Sequence, residues 1–175
     1  DESATAVSVD RLLIGATVTS AFAGINGGTA DALGLELTGV EFGLALMSER
    51  GVAAGTARSW MSLQASVDDA SFVGVDDLTV NVNTLSVNVN QAAADGTVVD
   101  YSAGATDLTV ATGPSTDLEL TMDGAQGALL QVAGNIELDV LGFVQLEGSF
   151  AIEKSTGSVT LADLDSTTGV DESAT

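Results

Sequence analysis

An all-β fold, an antiparallel meander or β-sandwich built from a dozen or more short strands in an elongated unit, is what this sequence predicts, and three observations carry that expectation. Apolar residues recur with a period of two through most of the chain, as half-buried strands require. Twenty glycines fall between and within these stretches, penalising helix wherever they sit inside an element. The best helical candidate, the Ala-rich stretch around Gln91 to Asp95, is too short to stand alone.

The elements follow in order. Leu35 and Leu37, then Val40, Phe42, Leu44 and Leu46, then Met61, Leu63, Ala65 and Val67, alternate with small or polar residues. Leu78, Val80 and Val82 form the next stretch, and Leu85, Val87 and Val89 the one after it. Val99, Tyr101 and Ala103; Leu108 and Val110; and Leu118, Leu120 and Met122 continue the alternation. Leu130 and Val132; Ile136, Leu138 and Val140; Val144 and Leu146; Phe150 and Ile152; and Val159 and Leu161 complete it. Gly, Asp-Gly, Gly-Asn and Gly-Pro steps separate many of these stretches, as turn chemistry demands. Three strand starts share one style, an acid before an apolar-polar-apolar triplet: Asp77 to Val80, Asp107 to Val110 and Asp117 to Leu120. Such closely spaced strands leave no room for parallel crossovers. A β-solenoid is the alternative architecture, in which Asn81, Asn83, Asn88 and Asn90 would form a stacked ladder; on a meander the same four residues belong to the solvated face. Trp60 falls out of phase with Met61 and Leu63, which places it on the outward face, covered either by a partner or by its own domain.

Composition excludes several function classes. Four Lys or Arg stand against 25 Asp or Glu, a formal charge of −21, so nucleic acid and anionic membrane surfaces lack the basic groups they need. With no His and no Cys, imidazole and thiol chemistry, disulfides and the usual zinc sites are absent. Apolar runs such as Val140 to Val144 fall far short of the roughly 20 residues of a membrane helix, so no transmembrane segment is expected. Seven aromatics cannot readily furnish the two girdles of an outer-membrane barrel.

The sequence closes as it opens. Asp1-Glu2-Ser3-Ala4-Thr5 returns letter for letter as Asp171-Glu172-Ser173-Ala174-Thr175, which predicts one unit, residues 1–175, of a tandem array with a period of about 170 residues. Residues 1–5 and 165–175 would form the joint between neighbours, its acids being Asp1, Glu2, Asp171 and Glu172. Carboxylates are the chemistry that remains. Asp163, Asp165, Asp171 and Glu172 lie with Thr167 and Gly169 in one acidic segment and offer oxygen ligands of the kind calcium takes. The spacing departs from an EF-hand loop, since positions six and twelve counted from Asp163 hold Thr168 and Ala174 instead of Gly and Glu. A solvated acidic linker is the other reading of the same residues. Asp68-Asp69 and Asp76-Asp77 are paired acids, yet few rings are present to line the sugar cleft in which a glycosidase uses such pairs. No enzymatic activity is expected.

The stretch from Gly134 to Lys154, with Gly148-Ser149-Phe150-Ala151-Ile152-Glu153-Lys154 at its end, resembles the "G-x-F-x-F-x-K" strands of very large, acidic, repetitive bacterial surface and secreted proteins, the adhesin-like giants. Ile152 stands where the second Phe of that pattern would be. Val40 to Met47 is similar in style. The resemblance implies β-rich tandem architecture outside the cell, at the bacterial surface, with copies of the chain as partners. The expected function is therefore a structural repeat of an extracellular fibre or giant surface protein, self-associating end to end. The alternative is a calcium-dependent adhesin module that binds glycans or surfaces.

Overall fold

The computed structural model describes residues 6–161, with the exception of positions 54 and 103. It is all-β. Six strands, β1 (Val9–Ile25), β2 (Leu33–Glu49), β3 (Ser59–Val73), β4 (Leu78–Gln91), β7 (Leu129–Val140) and β8 (Val144–Lys154), form one antiparallel sheet in the order β1-β2-β3-β4-β7-β8. Between β4 and β7 the chain makes an excursion, residues 92–128, that carries a two-stranded sheet of β5 (Thr109–Ala111) and β6 (Asp117–Glu119). The large sheet is open, with β1 and β8 at its edges. Among the described residues the only helical element is a single 3-10 turn, Gly124–Gln126. This is the meander the alternation predicts. The solenoid has no counterpart in it.

The strands differ from expectation in number and length. Among the described residues eight strands replace the dozen or more, and six of them run from 11 to 17 residues. The reason lies in phase slips that look like strand ends. In β2 the apolar phase steps from Leu37 to Val40, in β3 from Val67 to Ala70, and in β4 from Val82 to Leu85. In β1, which lies upstream of the first predicted stretch, it steps from Val18 to Ala21. The strand pairings skip one residue at each slip, Thr19, Gly39, Asp68 and Thr84, and these four lie on one line across the sheet. Gly39 adopts φ 59° and Thr84 φ 52°, and a Cβ at Gly39 would fall on the Asp68 carboxylate. Each of the four strands thus carries one extra residue at the same level. Strand β7 does not, so the mismatch emerges at the β4–β7 border as a bulge between Asn83 and Ser86, two residues facing one.

These slips keep a single face apolar. Strand β7 alternates without interruption through Leu130, Val132, Ile136, Leu138 and Val140, so those side chains share one side. Directly paired residues share a side as well, and the register carries it to Val89, Val87, Val82 and Val80, then to Leu63, Ala65, Ala70 and Phe72, and on to Leu44, Phe42, Leu37 and Leu35. Without the extra residues the two halves of each strand would present their apolar phases to opposite sides.

The buried core is on the other side. Ala45, Met47 and Trp60 of the sheet meet Ala93, Tyr101, Leu108, Val110, Leu120 and Met122 of the excursion, with Leu129 at its return. Gly15 and Gly43 are paired on β1 and β2 and form a trough for β5. A Cβ at Gly43 would meet Val110 at 3.1 Å and Leu118 at 3.2 Å, and one at Gly15 would run into the Ala111 carbonyl. The shared acid-apolar-polar-apolar style of the stretches from Asp107 and Asp117 corresponds to this strand pair, with Val110 opposite Leu118. No strand forms at Val99 to Tyr101 or at Val159 to Leu161.

Candidate functional site

The sheet offers two surfaces, and each is built from one phase of the same strands. On the first, polar side chains of the sheet bind the backbone of the excursion. Tyr101 Oη donates to Ser62 Oγ at 2.8 Å, Ser62 Oγ to Asn90 Oδ1 at 3.1 Å, and Asn90 Nδ2 to the Val99 carbonyl at 2.8 Å. Gln64 Nε2 donates to the Glu119 carbonyl at 3.3 Å, while its Oε1 accepts from the Thr121 N–H at 3.1 Å. Trp60 Nε1 donates to the Thr97 carbonyl at 3.0 Å. At the β1 edge the Thr17 N–H donates to the Thr112 carbonyl at 2.9 Å, and Thr112 Oγ1 donates to Glu41 at 3.1 Å. Buried peptide groups must find partners. The excursion bonds part of its backbone internally, as in Tyr101 N–H to the Met122 carbonyl and Leu120 N–H to the Leu108 carbonyl, and Asn90 and Gln64 supply further partners where an aliphatic face could not. Among the described residues no buried side-chain nitrogen or oxygen lacks a partner.

This arrangement resolves two readings of the sequence. Trp60 is buried by its own domain. Asn90, expected on a solvated face, is fully buried, because the excursion covers that face at the Trp60 end of the sheet. Asn81, Asn83 and Asn88 are half-buried; Asn88 donates to Gln131 at 3.2 Å.

A charged cluster closes the margin of the cover. Arg58 donates to both carboxylate oxygens of Glu49 at 2.8 Å, reaches Asp95 at 3.4 Å, and sets its guanidinium 5.2 Å from the Trp60 ring centre. The Arg58 bond holds the Glu49 carboxyl below the ordinary carboxylate range, and the Thr97 hydroxyl and N–H do the same for Asp95. Asp100 accepts from the Gly124 N–H at 3.0 Å and the Ser102 N–H at 2.9 Å, and these bonds lower its pKa. Burial pushes the Tyr101 phenol up. Ser62 receives its hydrogen bond from a phenol and gives its own to an amide, so neither contact supplies the base a nucleophile needs.

The predicted acidic sites fare differently. Asp163, Asp165, Asp171, Glu172, Asp1 and Glu2 lie outside the described residues. Asp68 and Asp69 are successive residues of β3, with Asp68 at the phase slip and Asp69 paired to Thr38. Asp76 and Asp77 sit exposed in the turn before β4, Asp77 with φ 58°. Among the described residues no group of three or more acids gathers where it could hold a metal ion. A concavity of about 840 Å³ wraps around the end of the sheet beside Trp60, and its one acid, Asp10, is paired with Arg50 at 3.3 Å.

The second surface is the apolar face. Leu12, Ile14, Leu35, Leu46, Leu130, Leu146 and Ile152 are exposed, Leu12 by 56% and Ile152 by 61%. Leu44, Leu63, Val87, Val89 and Val132 between them are half-buried, sheltered by flanking side chains of the same sheet. Nothing in the described residues packs over them. Beside this face, β8 has no partner strand on its outer edge among the described residues. No helix in the described residues is long and apolar enough to cross a membrane.

Periodicity finds the residues of this face on β2, β3, β4, β7 and β8, each in an alternating stretch, whereas Leu12 and Ile14 of β1 lie upstream of the first predicted stretch. What sequence reasoning misses is the exposure of this face and the burial of the Ser62–Asn90–Tyr101 set. The nearest signal was Trp60 on the polar phase. Comparison with known proteins found no matching family model, no matching curated protein and no matching solved structure.

Proposed function

We propose that this chain is a structural repeat module of an extracellular bacterial fibre or giant surface protein, one that self-associates end to end with copies of itself. The observation that carries this reading is the open six-stranded sheet, with its apolar face uncovered and the β8 edge unpaired among the described residues. An unpaired edge offers backbone hydrogen bonds to another strand, and an extended apolar surface marks a place of contact. The repeated Asp1-to-Thr5 and Asp171-to-Thr175 sequence supports a tandem arrangement. A net charge of −21 would hold assembled fibres apart laterally, less so as salt screens it.

The test is imaging. Negative-stain micrographs of two consecutive repeats, and of the native source, should show a regular axial spacing set by the unit. Beads joined at random angles, or a compact solitary particle, would remove the reading.

A further inference from the structure

We infer that the apolar face of the large sheet docks on the same face of a second copy of this chain, so that two meanders close into one β-sandwich. The inference adds a lateral, face-to-face contact to the proposed end-to-end association, and it rests on that reading only for the identity of the partner.

The size of the face is the first argument. Six strands about 4.8 Å apart, with an apolar phase running from Leu12 to Ile25 on β1, give a footprint on the order of 1,000 Å². A stable dimer needs about 800 Å² from each partner, and an isolated soluble chain seldom leaves so large an apolar patch in water.

Charge is the second. From the row of Leu12, Leu46 and Met61 to the row of Ala23, Leu35, Phe72, Val80, Leu138 and Leu146, the paired positions of this face contain no acid. Glu36, Glu41, Asp69, Glu137, Asp139 and Glu147 are all on the opposite phase. The one charged side chain at these paired positions is Lys154, opposite Leu130 at the β8 edge, so two chains that each carry −21 can meet along these rows without setting acid against acid.

Relief is the third. Phe42 stands between Ala16 and Ala65, and Leu37 between Ala21 and Ala70. This puts a ridge between two hollows, the form that a two-fold-related copy can fill. A bilayer fits less well, because the face carries Phe42, Phe72 and Phe150 as its only aromatic side chains and lacks the Trp and Tyr belts of membrane-facing sheets.

Sedimentation velocity of the full 175-residue chain, from about 1 to about 100 μM, decides the matter. The expected result is a dimer of twice 17.4 kDa. Leu63→Glu, at the centre of the face, should weaken it by roughly 100-fold or more while leaving the near-ultraviolet signal of Trp60 intact on the other side. Ser66→Glu, on the polar phase outside the cover, should leave the dimer unchanged. If Leu63→Glu fails to fold, Ile14→Glu and Leu46→Glu at exposed positions provide the same readout. A wild-type chain that stays monomeric, or a dimer indifferent to all three substitutions on the face, overturns the proposal. So does a monomer that floats with phosphatidylcholine vesicles, which would assign the face to lipid. Failure of the axial spacing with a persistent dimer would remove only the fibre reading.

Discussion

On the Trp60 side of the sheet, Ser62 and Asn90 are buried and Gln64 is half-buried, beneath a layer made largely of loop; on the Leu63 side, Leu12, Leu46 and Ile152 meet solvent. The polar side is the covered one. Hydrophobicity alone would order the two the other way. What decides is the nature of the covering segment. Residues 92–128 contain two strands of three residues each and bond part of their backbone among themselves, while Asn90 and Gln64 supply partners for the Val99 and Glu119 carbonyls and the Thr121 N–H. The apolar contribution comes from the segment itself, through Tyr101, Leu108, Val110, Leu120 and Met122 closing on Ala45, Met47 and Trp60. An aliphatic face has no such partners to offer an irregular chain, and it is suited instead to another sheet whose ladder is already complete.

This contrast can be broken by substitution. Trp60→Ala should have the largest effect, about 3–5 kcal/mol of lost stability, since it empties a buried site and removes the donor to Thr97; a chemical denaturation curve would measure it. A loss under about 1 kcal/mol would mean that the cover contributes little.

Asn90→Leu should cost about 1–3 kcal/mol although it makes the site more apolar, because it strands the Val99 carbonyl and the Ser62 hydroxyl in a buried place. A stabilised variant would show that the polar face is covered by apolar packing alone.

Acidification sharpens the comparison. The Asp100 carboxyl is held low by the Gly124 and Ser102 N–H groups. Its contribution is therefore present above the unfolded carboxylate value of about 4 and is lost as pH falls through the lower folded value. Hydrogen exchange at residues of the cover should accelerate below about pH 4, before exchange in the middle of β2 and β3 does. Simultaneous acceleration in both would contradict a separately anchored cover.

The smallest effect belongs to the bare face. At a concentration low enough to keep the chain monomeric, Ile152→Thr should change stability by no more than about 0.5 kcal/mol, against several for the buried positions opposite. A larger loss would mean that the face is packed within the monomer.

Much of this molecule is legible in its residues, and the places where legibility fails have physical causes. The alternating stretches of β2, β3 and β4 are read directly from the residues, yet the steps at Gly39, Asp68 and Thr84 look like boundaries. A one-residue slip and a strand end leave the same trace in a single chain, and only the neighbouring strands, which slip at the same level, distinguish them. Strand β1 is diluted by Ala, Gly, Ser and Thr, so its period is faint until β2 supplies a partner for every residue from Val9 to Val18. Asn90 has the same local pattern as Asn81 and Asn83. Its burial depends on Tyr101 and Val99, which arrive from the following excursion.

By itself, then, the alternation of small, polar and aliphatic residues determined that the chain would be all-β and built on antiparallel strands, because backbone periodicity is a local property of neighbouring side chains. Which phase would be covered was decided only in three dimensions. That outcome depends on whether the segment arriving over the sheet brings unpaired peptide groups or a finished ladder, a condition that belongs to the pair of surfaces and to neither strand alone.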